Sequence, residues 1–566
     1  MMEMFGTKGP DLAGYPKLGP HGRRLGEDAN DHVLNITVRN ALRTRGEEAK
    51  RVMLKELKQM IDKKVWEPIS VRSLNSSDRS RIIRSQMFLK EKYLPTGEFE
   101  KLKARLVAGG DQQDKELYED LSSPTVSTSA VLTVLSIAAH EGRKVAVVDI
   151  TGAYLNANMG HVNVHMRLDG TMSKMMTELS PGYEKYKDNR GCVVVKLKKA
   201  LYGCVESAAL WHDNLSATLK EMGYTKNDHE WCVFNRRDNA GTQCTVAVHV
   251  DDLLITSKNE EMIDSVCDGL KRKYGDVSRA DGPIVNYLGM VFDLSTRGEA
   301  RVTMKGYVNE TLNGSEISGE AKTPATDGLF EIRDKVGVCE TERAKFHRLV
   351  AKLLYLAKRI RPDCLTAVSF LTTRVTKCTS DDVEKLERLV KYIRYSKERG
   401  IVLKPGELGI RVSIFVDAAY GVHEDRTSHT GSCVVIGDGG SVHCRSSKQG
   451  CVTKSSTEAE LIALSDSANQ ALYLRQFLIC QGHEPGPVRV YQDNTSTMAL
   501  ISRGKPGAER TRHIDIRHFW LTDRVKAKEA VVIHMGTKEM YANLLTKPLQ
   551  GAQFIYEREC LSGWRV

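Results

Sequence analysis

The carboxylates of interest sit at the ends of apolar runs. Asp149 lies near the end of KVAVVDI (144–150), and Asp251 and Asp252 interrupt TVAVHVDDLLI (245–255). An unpaired carboxylate is costly to bury. Three of them on β-structure could instead share divalent cations, and two such ions about 3.5–4 Å apart clamp the attacking and leaving oxygens of a phosphoryl transfer. Magnesium suits such a site, because it takes oxygen ligands and combines a few carboxylates with substrate phosphates. A second acidic set lies downstream. Asp417 ends IFVD, Glu458 and Glu460 lie in SSTEAEL, and Asp493 follows VRVYQ. Strand-Asp, helix-Glu and strand-Asp can converge at one edge of a sheet. The competing readings are structural: Asp-Asp as a turn pair and Asp149 as a loop cap, and the downstream acids as helix caps and surface charge. On residue type alone both remain open.

The elements that would position these groups can be read from periodicity. Residues 144–150 read as a buried strand, and 245–255 as two short strands joined by a tight acidic turn. Residues 49–63 carry apolar positions at helical spacing, and 130–140 (AVLTVLSIAAH) read as a buried helix. Residues 81–110 suggest two strands joined by a Pro-Thr-Gly turn at 95–97. Residues 285–294 and 300–304 read as a further hairpin, and 341–396 as helical. Pro405 and Gly406 mark a boundary. After it come a strand (412–416), a hairpin through 437–440, a long helix (456–481) and a strand (488–491).

Composition bounds the class. The chain has 566 residues, 41% hydrophobic and 27% charged, with 83 Lys plus Arg against 72 Asp plus Glu, a formal net charge of +11. That excludes wholesale disorder and collagen-like structure, and at roughly 150 residues per domain it suggests about three or four domains. The 13 cysteines are scattered with no C-x-x-C pair, which reads as free thiols in a reducing compartment. No apolar run reaches the roughly 18 residues of a membrane span, and 1–14 has no apolar signal-peptide core. The positive charge permits a nucleic-acid partner without establishing one.

The surrounding motifs resemble the reverse transcriptase of copia-type LTR retrotransposons. VAVVDITGAYLNA resembles the strand bearing that family's first catalytic Asp, LKKALYGCVESAALW its Leu-Lys-Lys-Ala-Leu-Tyr-Gly motif, and VHVDDLLITS its Tyr-Val-Asp-Asp box. KLKARLVAGGDQQ resembles its basic fingers motif, NYLGMVFDL its Leu-Gly hairpin, and FHRLVAKLLYLAKRIRPD its helical segment ending in Arg-Pro-Asp. Farther on, SIFVDAAYG, TGSCVVIGDG, KSSTEAELIALS, VYQDNTSTMAL, TRHIDIRHFWL and YANLLTKPL resemble the family's RNase H motifs, in order.

The resemblance implies roles. Asp149, Asp251 and Asp252 would hold two Mg2+ and catalyse attack of a primer 3′-hydroxyl on the α-phosphate of a dNTP. Tyr154 would be the steric gate against a ribose 2′-hydroxyl. Lys103 and Arg105 would approach the triphosphate, since ammonium and guanidinium groups suit phosphate oxygens. Tyr202 and Gly203 would lie beside the nascent base pair, and Leu288 and Gly289 would steady the primer end. Asp417, Glu460 and Asp493 would hold two further Mg2+ for hydrolysis of RNA in RNA–DNA hybrids, with Mn2+ as a substitute at either site. Glu460 is preferred over Glu458 because it directly precedes the apolar Leu-Ile-Ala-Leu run, as the family's ligand does.

The chain departs from the pattern at three places. His249 stands where the family has Tyr, Glu206 lies where it has polar or basic residues, and Asn543 replaces a fourth RNase H carboxylate. His513, Asp515 and His518 suggest a metal site less readily than a basic, phosphate-facing loop with Arg510, Arg512 and Arg517. The expected fold is α+β: an N-terminal tail (1–45), reverse-transcriptase fingers and palm (46–300), a helical thumb or connection (301–406), an RNase H-like domain (407–550) and a C-terminal tail (551–566). The expected function is RNA-directed DNA synthesis with RNase H activity, from a C-terminal portion of a retrotransposon Pol polyprotein. Expected partners are an RNA template, a DNA primer, RNA–DNA hybrid, dNTPs and other products of the same element, with no membrane. The expected setting is the cytoplasm, with a retrotransposon particle or the nucleus as further settings. The alternative is a decayed or co-opted remnant that binds nucleic acid without catalysis.

Overall fold

The computed structural model describes residues 36–93, 99–118, 121–333, 336–407, 409–503 and 515–565. The turn expected at 95–97 lies outside these residues, as do His513, Arg510 and Arg512 and the side chains of Asp515, Arg517 and His518.

Among the described residues the strands form four sheets. The first is built on Ile83–Tyr93 and Phe99–Ala108, which pair antiparallel over most of their length. The helix Val38–Asp62 packs on this pair. It starts well before the expected residue 49 and crosses the 45/46 boundary. The Thr37 hydroxyl accepts from Asn40 N at its start, and Gly46, at φ +45°, supplies the kink that lets it continue. The second sheet has the order Val277–Asp281, Lys144–Ile150, Asp252–Ser257, Gln243–His249, Val233–Arg237, Thr225–Lys226.

The third sheet corrects a simpler expectation. Residues 285–294 are not one strand but a hairpin, Ile284–Tyr287 against Met290–Asp293. Ala300–Thr303 then adds to it, followed by Ile401–Leu403. The fourth sheet is ordered Ser441–Lys448, His429–Ile436, Val412–Ala419, Val488–Gln492, Ala530–His534, with the last two pairings parallel.

The helix Thr128–Glu141 explains how the second and fourth sheets are joined. The Ser127 hydroxyl caps it by accepting from Ala130 N, and Gly142 at φ +66° ends it. Residues 129–139 are all buried. A helix apolar all round has elements on every side. This one packs on the strand Asp252–Ser257, the third sheet, the strand Ser441–Lys448 and the helix Ser456–Cys480. Buried polar contacts fix the register of that packing. Tyr473 and Ser127 hydroxyls both donate to Glu230 Oε2, at 2.7 and 2.9 Å. Gln481 Oε1 accepts from Gln243 Nε2 and Thr245 Oγ1. One apolar core therefore runs from the second sheet through the helical region to the fourth, while residues within 41–108 and 155–204 form a separate cluster.

Residues 551–565, read from sequence as part of a tail, carry the helix Gly551–Ser562. Phe554 is fully buried and meets the Tyr392 ring at 5.6 Å. All described cysteines are free thiols. No described helix is long and apolar enough to cross a membrane.

The Arg-Pro-Asp stretch has a structural role. Arg361 Nε and Nη2 bond both Asp363 oxygens at 2.9 and 2.8 Å, with each side chain 1% exposed. Arg361 Nη1 also donates to Ser396 O, and the Tyr392 hydroxyl donates to Asp363 Oδ2 at 2.5 Å. Removing one partner strands a buried charge. Asp363→Asn or Arg361→Met is therefore expected to lose about 3–5 kcal/mol in urea unfolding, and the double apolar replacement to lose less than either single variant.

Candidate active sites

The first carboxylate set is placed by strand pairing. Lys144–Ile150 runs antiparallel to Asp252–Ser257, with Asp149 directly opposite Asp252. Residues directly opposite share a face of the sheet, so these two side chains emerge together. His249 pairs with Asp252, leaving Val250 and Asp251 as a two-residue turn. Val250 has φ +58°. A β-branched residue resists that left-handed conformation, so the turn must be held. Trp211 Nε1 donates to Val250 O at 2.7 Å, and Ile150 N donates to Asp251 O at 3.1 Å. The Tyr287 hydroxyl, buried beneath, lies 3.2 Å from Ala247 O and 3.5 Å from Asp252 O. It thereby ties the third sheet to the strand pair bearing the acids. Leu288 and Gly289 form the turn after Tyr287, at φ +52° and +74°. The His249 imidazole is held neutral, its pKa pushed down to about 4 by burial and then by the Arg359 charge.

The residues expected around a nucleotide converge as a stack. Tyr154 sits in the short turn Ala153–Asn156, and its ring meets Tyr202 edge-on at 4.8 Å. The Arg105 guanidinium lies over the Tyr202 ring at 5.3 Å. Burial and then the Asp251 charge raise the Tyr202 hydroxyl, so it stays protonated. Gly203 has φ +91°, and a Cβ there would come within 2.2 Å of Ala108 O. Only glycine lets this loop lie against the strand Phe99–Ala108, where Ala108 N donates to Tyr202 O at 2.7 Å. Lys103 and Arg105 alternate with buried Leu102, Ala104 and Leu106 on that strand. Burial raises the Glu56 carboxyl beneath them, opposed by Leu106 N–H and the charges of Lys103 and Arg105. Glu206 is turned inward: it is 6% exposed, beside Gly160, and burial raises its carboxyl.

The second set closes more tightly. Ligand oxygens of Asp417, Glu460 and Asp493 all lie within 4.8 Å of one another; among the described residues this is the set of three that does so. Asp417 lies on the central strand Val412–Ala419, Glu460 on the first turns of Ser456–Cys480, and Asp493 just past Val488–Gln492. The expected convergence is therefore present. The structure also separates the two candidate glutamates. Glu458 accepts from Lys454 N at 2.7 Å, and its own N–H is held by the Ser455 cap, so it serves the helix start. Glu460 Oε1 accepts from Ala418 N at 3.1 Å and Oε2 from Gln492 Nε2 at 3.3 Å. Burial, then the Asp417 and Asp493 charges, push its carboxyl well above the usual range.

Three neighbours of this set were not singled out from sequence. Gln492, fully buried, accepts from Asp493 N and Asn494 N while donating to Glu460. Thr546 donates to Asp417 Oδ2, and Lys547 Nζ lies 3.1 Å from the same oxygen. The only sequence signal was proximity to Asp493 and membership of the Thr-Lys-Pro run. Asn543 sends Nδ2 to Thr537 O and Met540 O, and its Oδ1 accepts from Lys547 Nζ at 2.9 Å. The donor chemistry fits a divalent cation: all-oxygen, with Asp417 and Glu460 buried, and electrostatically strained until a cation balances it.

Glu557 lies behind Asn543, fully buried, and burial pushes its carboxyl up to about 7 from 4.5. The folded protein thus holds this proton more tightly than the unfolded chain. Stability from this group is full below pH 4.5 and is lost as the pH rises to about 7. Glu557→Gln is expected to remove that slope, which amounts to at most about 3 kcal/mol. Urea midpoints of both proteins between pH 5 and 8 measure it.

The arrangement agrees with comparisons to known proteins. Residues 72–326 match the family model described as reverse transcriptase (RNA-dependent DNA polymerase). The chain is 25% identical over 462 residues to a retrovirus-related Pol polyprotein from transposon TNT 1-94 of Nicotiana tabacum, covering 80% of this chain and 33% of that protein. It is 25% identical over 517 residues to the transposon TyH3 Gag-Pol polyprotein of Saccharomyces cerevisiae, covering 88% and 28%. It is 26% identical over 479 residues to the Pol polyprotein from transposon RE1 of Arabidopsis thaliana, covering 84% and 31%. The chain thus spans about a third of the length of these relatives. A solved foamy viral protease-reverse transcriptase in complex with double-stranded DNA shares the fold, with TM-score 0.50 and 12% identity over 86% of this chain and 70% of that one. With this fold and these relatives, residues 72–326 match the reverse transcriptase family model, in a chain similar over most of its length to copia-type retrotransposon Pol polyproteins.

Proposed function

We propose that the chain is an RNA-directed DNA polymerase with RNase H activity, working at two separate carboxylate centres. The observation that carries the polymerase reading is Asp149 opposite Asp252, with Asp251 on a turn pinned through both its carbonyls. In the corresponding division of labour, residues 46–300 act as fingers and palm, 301–406 as thumb or connection, and 407–550 as the RNase H-like domain.

Asp149, Asp251 and Asp252 would hold magnesium at the first centre, and Asp417, Glu460 and Asp493 at the second. Bound there, the cations supply charge neutralisation at phosphate oxygens and make the attacking oxygen more acidic, the primer 3′-hydroxyl at one centre and water at the other. The protein's own groups do the rest. Lys103 and Arg105 draw the triphosphate of a dNTP toward the first centre. The Tyr154 ring, braced edge-on by Tyr202, fills the space a 2′-hydroxyl would need. Leu288 and Gly289 rest against the primer end, anchored through Tyr287 to the strand of Asp252. At the second centre Ala418 N–H and Gln492 fix the Glu460 carboxylate toward its partners. RNA template, DNA primer and RNA–DNA hybrid are the partners this chemistry requires, and the +11 net charge favours them.

The non-catalytic alternative draws on Asn543, which contributes no charge to the second centre. The burial of Glu206 removes one of its other supports, because that carboxyl points into the protein.

Incorporation of dNTPs on a primed RNA template with Mg2+ tests the reading. Loss of groups that merely support a metal ligand costs about 10–100-fold, so Asp251→Asn should lose at least that much while retaining hybrid binding. A folded wild-type protein that binds hybrid and incorporates nothing would leave the non-catalytic alternative standing.

A further inference from the structure

We propose that the second centre takes one divalent cation, with the Lys547 ammonium standing as its fixed positive charge in place of a second ion. The inference rests on the reading of Asp417, Glu460 and Asp493 as a metal-binding set, and it concerns how many ions that set accepts.

Lys547 Nζ lies 3.1 Å from Asp417 Oδ2 and 3.4 Å from Oδ1, so it caps the carboxylate on which the set is centred. Its aim is fixed by Asn543. Both Nδ2 hydrogens of Asn543 are taken, by Thr537 O at 2.6 Å and Met540 O at 2.9 Å. Those bonds leave Oδ1 to accept from Lys547 Nζ at 2.9 Å. Only an amide can do both, because an ionised carboxylate has no hydrogen for the two carbonyls. The next carboxylate, Glu557, has its oxygens occupied by Leu544 N at 2.7 Å and Gln553 Nε2 at 2.8 Å.

Charge balance then limits occupancy. Three carboxylates carry at most three negative charges. One divalent cation and one ammonium balance them, and a second divalent cation would leave an excess of positive charge. It would also sit within a few ångströms of the ammonium on Asp417, where like charges repel. A carboxylate at position 543 with no ammonium at 547 would restore the charge that a second ion needs. Lys547 and Asn543 are thus positioning residues that set the metal count.

The test counts bound Mn2+ by electron paramagnetic resonance in the full chain, with Asp251→Asn and Asp252→Asn present throughout to silence the first centre. The count is made without nucleic acid. The expected count is one in this background, still one with Lys547→Arg, and two with Lys547→Met plus Asn543→Asp. Two ions in the background protein, or one in the paired variant with native circular dichroism, would overturn the proposal. If the paired variant does not fold, Lys547→Glu alone, which likewise gives four carboxylates and no ammonium, replaces it. Binding of a second ion there supports the proposal, and an unchanged count overturns it. Adding Asp493→Asn to the background separates the underlying reading. If the count is unaffected by that change, the trio is not the metal site, and the assignment of the second centre fails first.

Discussion

Like charges forced together are the constraint on which this structure turns. Asp417, Glu460 and Asp493 have oxygens within 4.8 Å of one another, and Asp417 and Glu460 are buried. Left to themselves such groups separate or take up protons. What holds them is backbone: a central strand, a parallel neighbour, and a helix whose second turn faces both. Each also has a bond that fixes its direction, from Ala418 N and Gln492 to Glu460, from Thr546 and Lys547 to Asp417, and from Thr537 to Asp493. The first centre meets the same constraint more openly. Asp149 and Asp252 face each other across one strand pair, and the turn carrying Asp251 keeps a Val in the left-handed region.

Holding such groups in place requires a rigid surround, and the core supplies it. The helix Thr128–Glu141 is buried on all sides and touches both the sheet of the first centre and elements of the second. The Arg361–Asp363 pair does similar work nearby, joining the end of one helix to Ser396 and Tyr392 on another. A buried ion pair contributes little net stability, but it admits few alternative geometries. The two centres are therefore fixed relative to one another by packing that neither centre contributes itself.

Much of this was legible in the sequence where the signal was local. Apolar runs with an Asp near the end became strands with an Asp near or just past the end, and the expected acidic turn formed one residue before the Asp-Asp pair, at Val250 and Asp251. The helix start in Ser-Ser-Thr-Glu was visible because capping acts over three or four residues. The different surroundings of Glu458 and Glu460 follow from helix geometry once the Ser455 cap is known, since the N–H of 458 is then used by the cap. The rest depended on distant contacts. Nothing in the composition near Lys547 says that it meets Asp417, 130 positions earlier. The residues after 550 read as a tail in sequence, yet they include Phe554 and Leu561. Both are fully buried against partners elsewhere in the chain. Tyr287 looked like an ordinary hairpin residue, and only the third dimension puts its hydroxyl beneath Asp252.

The claim that the second centre is a strained acidic set relieved by a divalent cation has a direct measurement. Thermal unfolding of the wild-type chain and of Glu460→Gln would be compared at pH 7, each with chelator and with excess Mg2+. Without metal the variant should melt at the same temperature or higher, because it has lost a buried group that repels its neighbours. Mg2+ should raise the wild-type midpoint more than that of the variant. A variant that is less stable without metal, and that gains as much from Mg2+ as the wild type, would contradict the account.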